Sequence, residues 1–162
     1  MQLEHTQSVT NVLCSVMESL AFIFVDPVSP KDINLENDLA EKYIHSQIRF
    51  EGPHQGALHL YIPLTMMQTI LANMLGEDED EIEKPLEISN KQIDALGELL
   101  NVICGQTLTE IWGTEPVFDL RLPNVTPIEQ ACIKQLTNTP SVNLFSSDDG
   151  IILLHLDVEA NA

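Results

Sequence analysis

The sequence predicts an α+β fold in which two long, adjacent helices pack on a largely antiparallel sheet, as a tandem pseudo-symmetric repeat. Two long segments carry apolar residues at helical spacing, and two other regions alternate around glycine-containing turns. These elements follow the same order in both halves of the chain, about 1–76 and 89–158. With 162 residues, of which 44% are apolar, the chain is expected to form a single domain over 1–162 with a sizeable core.

The first half is predicted to begin with a helix over about His5–Ala21, where apolar residues recur every three or four positions. The aromatic and β-branched run Phe22–Val25 predicts a short strand. Two further strands, about Tyr43–Phe50 and Ala57–Ile62, are joined by EGPHQG, whose glycines and proline indicate a hairpin. A second helix then follows and ends at Gly76.

The second half begins after an acidic run, Glu77–Glu83, which is expected to be a solvated linker. Ser89 is expected to cap the long helix that follows, over about Asn90–Trp112. This helix contains the stretch DALGELLNVICGQTLTEIW. Most of its circumference is apolar, so the helix is predicted to be largely buried with one narrow polar strip facing out.

Beyond the long helix, Val117–Leu122 alternates as a strand. The sequence TPIE at Thr126–Glu129 offers a capping residue, a proline at the first helical position and a glutamate at the third, which predicts the start of a short helix. The chain then closes with a second hairpin, Val142–Phe145 and Ile151–Val158, around an SSDDG turn.

The charge of the chain excludes several classes of partner. Asp and Glu number 25 against 7 Lys and Arg, which gives a net charge of −18. Nucleic acids and anionic membranes are bound by cationic surfaces, so neither is expected as a partner. Acidity that only keeps the protein soluble is equally compatible with this composition. Because there is no long apolar run and no signal-peptide pattern, we expect a cytoplasmic protein.

Metal-ligating patterns are weak in this sequence. Cys14, Cys104 and Cys132 are widely spaced and form no CxxC pair, which indicates reduced, buried thiols and no metal site. His59 and His155 fall in two candidate strands and could converge. Solvated surface positions are the simpler interpretation of these histidines.

The polar strip of the long helix carries the candidate functional residues. A helix advances about 100° per residue, so Asp94, Glu98, Asn101 and Gly105 lie within roughly 60° of one another. A glycine inside a helix costs about 1 kcal/mol relative to alanine. The presence of Gly105 beside the Asn101 amide indicates that a partner approaches closely there. The alternative interpretation is that the strip is a solvated surface without a function.

These residues resemble the signature of a known family. Asp94-x3-Glu98-x2-Asn101, with Pro123 at a similar interval, resembles the motif of the CheC, CheX and FliY chemotaxis phosphatases. DALGELLNVICGQ is similar to the active helix of the family. FEGPHQGALHLYIP, followed by a helix ending in MLG, resembles the hairpin and helix of the CheX type.

The resemblance implies a phosphatase that stimulates hydrolysis of the aspartyl phosphate on a response-regulator receiver domain. Glu98 and Asn101 would be the catalytic residues: Asn101 would hold the attacking water, and Glu98 would accept hydrogen bonds from a lysine of the receiver. Asp94, Gly105 and Pro123 would support the site. The receiver would supply Mg²⁺, so the resemblance implies no cofactor of the chain's own.

The first long helix departs from the motif, because it offers Glu18 but has Ala21 where the amide would be. The resemblance therefore implies one site per chain, as in the CheX type, and a homodimer, because CheX-type relatives form dimers. Two alternatives remain. In the first, the chain is a non-catalytic module that binds either a receiver or a flagellar-switch component. In the second, it is a structural subunit whose helix strip is only a dimer contact.

Overall fold

The computed structural model describes residues 2–76 and 90–160, and within them the chain forms four α-helices and seven strands. The helices are α1 (Gln2–Ala21), α2 (Met66–Leu75), α3 (Asn90–Trp112) and α4 (Gln130–Leu136). The strands are β1 (Asp26–Pro27), β2 (Lys42–Glu51), β3 (Gly56–Pro63), β4 (Asp119–Leu120), β5 (Asn124–Glu129), β6 (Val142–Ser147) and β7 (Gly150–Val158). The acidic run Glu77–Glu83 and the predicted cap Ser89 lie outside the described residues.

The seven described strands form one antiparallel sheet in the order β1-β6-β7-β3-β2-β4, with β5 also paired to β2. The hairpins β2–β3 and β6–β7 meet in the middle of the sheet through β3 and β7. Strand β1 of the first half lies beside the second hairpin, and β4 and β5 of the second half lie beside the first hairpin. Such an exchange fits two halves related by a pseudo-twofold axis, although the duplication itself stays a prediction.

Helices α1, α2 and α3 cover one face of the sheet, and α1 packs directly against α3. The main core lies between these helices and the sheet, where Leu58, Leu60 and Ile62 of β3 are fully buried. This arrangement confirms the predicted α+β fold with two long adjacent helices on an antiparallel sheet. A smaller apolar cluster lies on the other face and includes Tyr43, Tyr61 and residues of α4. No helix within the described ranges is both long and apolar enough to cross a membrane.

The predicted strand at Phe22–Val25 is wrong, because the pairing with β6 begins only at Asp26. The chain first has to leave α1, and it does so through Phe22 in the left-handed region, with φ of 53°. The Ile23 N–H donates to the Met17 carbonyl at 3.0 Å and closes the helix end. Phe22–Val25 therefore form the end of the helix and the connection to the sheet instead of a strand.

The predicted helix start at Thr126–Glu129 is also wrong, because TPIE is part of strand β5 and α4 begins at Gln130. Pairing with β2 overrides the local capping pattern, and Pro127 lies opposite Ile44 in this register. A proline without an N–H is tolerated here because β5 is an edge strand. The predicted strand Val117–Leu122 is shorter than expected and comprises only Asp119–Leu120.

Candidate active site

Helix α3 has the predicted bounds and turns the expected strip outward. Asp94, Glu98 and Asn101 are exposed, and Gly105 is partly exposed. Residues on the opposite side of the helix are fully buried in the main core: Leu96, Leu99, Leu100 and Ile103. The helical period of the sequence therefore places a short row of polar side chains on the outer surface of a helix that is otherwise packed.

Within the described part of the chain, the side chains of Glu98 and Asn101 have no hydrogen-bond or ion-pair partner. Side chains three positions apart on a helix are neighbours, with Cβ atoms about 5–6 Å apart. A carboxylate acceptor and an amide with both donor and acceptor capacity are thus presented side by side to an external group.

The C-terminal end of α3 is fixed to the rest of the protein. The Trp112 ring stacks on His54 of the β2–β3 connection at a centroid distance of 4.3 Å, and it also packs against Phe118 at 5.7 Å. Gly113 takes the left-handed conformation, and its N–H donates to the Thr109 carbonyl at 2.8 Å. These contacts anchor the C-terminal end of α3 to the β2–β3 connection and to the segment before β4.

Strands β4 and β5 form one edge strand that is interrupted by a β-bulge. Leu120 pairs with Phe50, and Asn124 pairs with Gln47. Three residues therefore separate the paired positions on the edge strand, whereas two separate them on β2. The extra residue lies immediately before Pro123. Because proline has no N–H, Pro123 cannot donate a backbone hydrogen bond to β2.

The bulge brings Pro123 onto α3. A Cβ built on Gly97 would lie 3.5 Å from the Pro123 Cγ, which is ordinary van der Waals contact. Gly97 directly precedes Glu98 in the helix. The sequence singled out Pro123 by its interval, and the structure places it beside the exposed strip, at the flank of the helix and not within the strip.

Gly105 lies in open space, because a Cβ built on it would meet nothing within 4 Å outside its own helix. No packing within the described chain requires a glycine at this position. The absence of a side chain therefore leaves a clear surface next to Asn101, one helical turn further along the strip.

The first long helix does not repeat this surface. Glu18 is exposed, as Glu98 is, but Ala21 is fully buried. The Ala21 carbonyl accepts a hydrogen bond from Asn73 of α2, which packs against this end of α1. An amide at position 21 would be turned into the protein, so the structure offers no second outward pair on α1.

Other reactive side chains lie away from the strip. Cys104 is on the buried side of α3, and burial raises the pKa of its thiol to about 12. The thiol is therefore protonated at neutral pH and is a poor nucleophile. Cys132 is exposed and Cys14 is half-buried, which corrects the expectation that all three thiols are buried.

The histidines of the sheet converge on the face opposite α3, so their interpretation as solvated surface residues is wrong. His45 Nε2 and His59 Nδ1 lie 2.9 Å apart, and the rings of His59 and His155 stack at a centroid distance of 5.6 Å. Burial, followed by the two neighbouring histidines, lowers the pKa of His59 to about 4. Among residues 2–76 and 90–160, no three His, Cys, Asp or Glu side chains are placed to hold a metal ion.

Comparison with protein families identifies the family of this chain. Residues 44–147 match the model of the chemotaxis phosphatase CheX, and this range covers well over half of the chain, including most of β2 and all of β3 and α3. The chain belongs to the CheX family. No curated protein shows significant sequence similarity to this CheX-family chain.

Solved structures of CheX proteins share the fold. The CheX protein of Vibrio vulnificus has a TM-score of 0.69 and 19% identity, over 98% of this chain and 99% of the other. The CheX protein of Desulfovibrio desulfuricans has a TM-score of 0.68 and 21% identity, over 96% and 99%. The CheX–CheY–BeF3–Mg²⁺ complex of Borrelia burgdorferi has a TM-score of 0.60 and 17% identity, over 99% of each chain.

Proposed function

We propose that this CheX-family protein stimulates hydrolysis of the aspartyl phosphate on a response-regulator receiver domain, with one Glu98–Asn101 site per chain. The observation that carries the proposal is the exposed and unengaged Glu98–Asn101 pair on a helix whose opposite side is fully buried. The family model supports the reaction class, since it is that of a chemotaxis phosphatase. The CheX–CheY–BeF3–Mg²⁺ complex of a related protein supports a receiver partner that brings Mg²⁺ with it.

Asn101 is proposed to position the attacking water. Hydrolysis of an acyl phosphate requires water in line with the leaving carboxylate, while Mg²⁺ and the receiver's lysine neutralise the phosphoryl oxygens. An amide is not a base, but it can hold a water at a fixed angle through its oxygen and its N–H groups. Holding the reactants in this geometry removes the entropic cost of bringing them together.

Glu98 is proposed to fix the register of the two proteins. Its carboxylate, one helical turn from Asn101, is placed to accept a charge-assisted hydrogen bond from the receiver's lysine. The chain's excess of acidic residues fits this division of roles, because the cations come from the partner. Asp94 extends the same exposed row towards the start of α3 and is proposed to add a docking contact.

A homodimer is proposed as well, with the two edges of the sheet as the candidate places for strand pairing between copies. The two hairpins lie in the interior of the sheet, whereas the described edges are the short strand β1 and the bulged strand β4–β5. Edge strands leave backbone groups available for pairing with another chain. Light scattering of the purified protein measures whether it is a dimer.

The proposed function is tested by measuring phosphate release from purified, phosphorylated receivers of the same organism, with and without this protein and in the presence of Mg²⁺. Faster release in the presence of the protein is expected for at least one receiver. Binding of a receiver without faster release favours the non-catalytic binding module.

Glu18→Ala is expected to leave phosphatase activity nearly unchanged. Glu18 is exposed on α1, and the neighbouring position of the motif, Ala21, is buried and carries no amide. An exposed carboxylate outside any network contributes little, so the free energy of unfolding should change by no more than about 0.5 kcal/mol. A folded Glu18→Ala protein that is as inactive as Glu98→Ala would show that α1 belongs to the catalytic surface.

Gly105→Ala is expected to stabilise the protein and to weaken its activity. The added methyl group meets nothing within 4 Å outside its own helix, and alanine is favoured over glycine in a helix by about 1 kcal/mol. The melting temperature should rise by about 2–4 °C for a chain of this size. The same methyl group occupies the clearance beside Asn101, so the apparent affinity for the phosphorylated receiver should fall.

Gln106→Ala is the matched control for this change, because Gln106 is exposed on α3 but lies about 100° around the helix from Gly105. The control should retain full activity. If Gly105→Ala raised the melting temperature and left receiver affinity and turnover unchanged, Gly105 would have no role in clearing the surface.

A further inference from the structure

Three histidines form a row across the middle of the sheet, on the face opposite α3. His45 of β2, His59 of β3 and His155 of β7 are each half-buried there. The neighbours of His59 along β3, Leu58 and Leu60, point the other way into the main core. His59 lies directly opposite His155 in the register of β3 and β7, where the two hairpins meet. The row therefore crosses the junction between the two halves of the chain.

His45 and His59 are joined by a hydrogen bond between their rings. The Nε2 atom of His45 lies 2.9 Å from the Nδ1 atom of His59, and the two rings are nearly parallel. Such a bond requires an N–H on one of the facing nitrogens and a free lone pair on the other. The pair can therefore accept one extra proton at an outer nitrogen. A second extra proton would place an N–H on both facing nitrogens and break the bond.

Other rings cover the pair on both sides. The Tyr61 ring stacks on His45 at a centroid distance of 4.5 Å, and His155 stacks on His59 at 5.6 Å. Tyr61 also belongs to the smaller apolar cluster, which contains Ile133 of α4. A positive charge on these imidazoles is therefore partly withdrawn from water, which disfavours their protonated form.

The charged groups beside the row offset this penalty only in part. Asp157 of β7 favours protonation of His59 and His155, but it is exposed, so water screens its attraction. Arg49 of β2 opposes protonation of His59, and its own partner is Glu159, at 2.6 Å.

The remaining neighbouring elements place no carboxylate opposite the histidines. Thr126 of β5 lies opposite His45, and Val142 of β6 lies opposite His155. Helix α4 packs against β2 and β5, and its titratable residues are Cys132 and Lys134. None of these side chains provides a negative charge at neutral pH that would favour a protonated imidazole in the row.

The direction of the pH effect follows from the pKa values of the three imidazoles. Burial lowers the pKa of His45 and of His155, and burial with repulsion from both of them lowers the pKa of His59 to about 4. In an unfolded chain the pKa of histidine is about 6.5. The unfolded state therefore binds more protons below about pH 6.5. The contribution to stability is fully present above that pH and is lost as the pH falls towards 4.

We propose that the histidine row is a proton-sensitive contact between the two hairpins, which stabilises the fold in its neutral form and weakens as the pH falls from 7.5 to 5. Acid has the opposite effect on the chain as a whole. Because the net charge is −18 at pH 7, partial neutralisation reduces the repulsion between acidic residues. The row lies on the face opposite the Glu98–Asn101 helix, so this device does not depend on the proposed phosphatase function.

The test is thermal unfolding of the full chain in buffers of equal ionic strength between pH 7.5 and pH 5. The melting temperature of the wild-type protein should fall by at least about 5 °C over this range. A double variant, His45→Gln with His59→Asn, keeps neutral amides near the two facing nitrogens but removes both titrating groups. The double variant should lose most of this fall.

His54→Gln is the matched control, because it removes an imidazole outside the row. His54 lies in the β2–β3 connection and stacks on Trp112. The control should show the same fall in melting temperature as the wild-type protein. A wild-type melting temperature that stays level or rises between pH 7.5 and pH 5 overturns the proposal. A double variant that keeps the fall, or a control that loses it, overturns the proposal as well.

NMR titration of the imidazole protons in the wild-type protein decides the case in which the double variant does not fold. His45, His59 and His155 should each titrate with a midpoint below the value of about 6.5 for an unfolded chain. Midpoints at or above that value for the three histidines would show that the row does not resist protonation, and the proposal would be wrong.

Discussion

Asn101→Ala is expected to lower stimulated dephosphorylation by at least about a hundredfold while leaving receiver binding nearly intact. The exposed amide makes no hydrogen bond or ion pair within the described chain, so its removal should leave the fold undisturbed. What is lost is the hold on the attacking water, and a displaced reactant alone can cost about a hundredfold in rate. Phosphate release and receiver affinity, measured on the same preparation, give the two quantities.

Gln106→Ala is again the control for Asn101→Ala, since it removes an exposed amide from the same helix outside the strip. It should keep both activity and binding. If Asn101→Ala lost binding in parallel with activity, Asn101 would be a docking residue and the water would have to be positioned by another group.

Glu98→Ala is expected to weaken binding to the phosphorylated receiver more than Asn101→Ala does. Glu98 is exposed in the free protein, and a receiver docked over the strip as proposed would bury it. Truncation of one partner of a buried, charge-assisted pair costs about 2–5 kcal/mol of binding free energy. Receiver titrations with each variant measure this difference, and a loss of turnover should accompany it because the register of Asn101 depends on the same contact.

Glu110→Ala provides the control for charge, because Glu110 is an exposed glutamate on α3 that lies outside the strip. A double-mutant cycle between Glu98→Ala and an alanine change at the receiver's lysine should give a coupling energy well above the additive expectation. Additive effects would show that Glu98 and that lysine do not pair, and the assigned register would then be wrong.

Local sequence signals predicted those elements whose structure depends on their own residues. The helical period gave α3 its bounds at Asn90–Trp112 and placed Asp94, Glu98 and Asn101 on its outer side, because a strongly apolar helix has only one way to bury itself. Both hairpins followed from alternation and glycine turns. The end of α2 followed from Gly76, which takes the left-handed conformation there.

Features that depend on contacts distant in sequence could not be predicted in the same way. TPIE has a strong capping pattern, yet pairing with β2 makes it a strand. Ala21 is buried because α2 packs on the end of α1. Position 21 therefore lacks the amide of the motif and is also not accessible to a partner. Leu122 was predicted as the end of a strand, whereas it lies in a bulge that becomes visible only once the β2 register is known.

The protein is proposed to accelerate hydrolysis of a receiver's aspartyl phosphate through the Glu98–Asn101 surface. The most direct measurement is the rate of phosphate release from a purified, phosphorylated receiver with Mg²⁺, compared among no addition, wild-type protein, Asn101→Ala and Gln106→Ala. The expected result is faster release with wild-type and Gln106→Ala and the spontaneous rate with Asn101→Ala. Release at the spontaneous rate with the wild-type protein, from a receiver that it demonstrably binds, would contradict the claim.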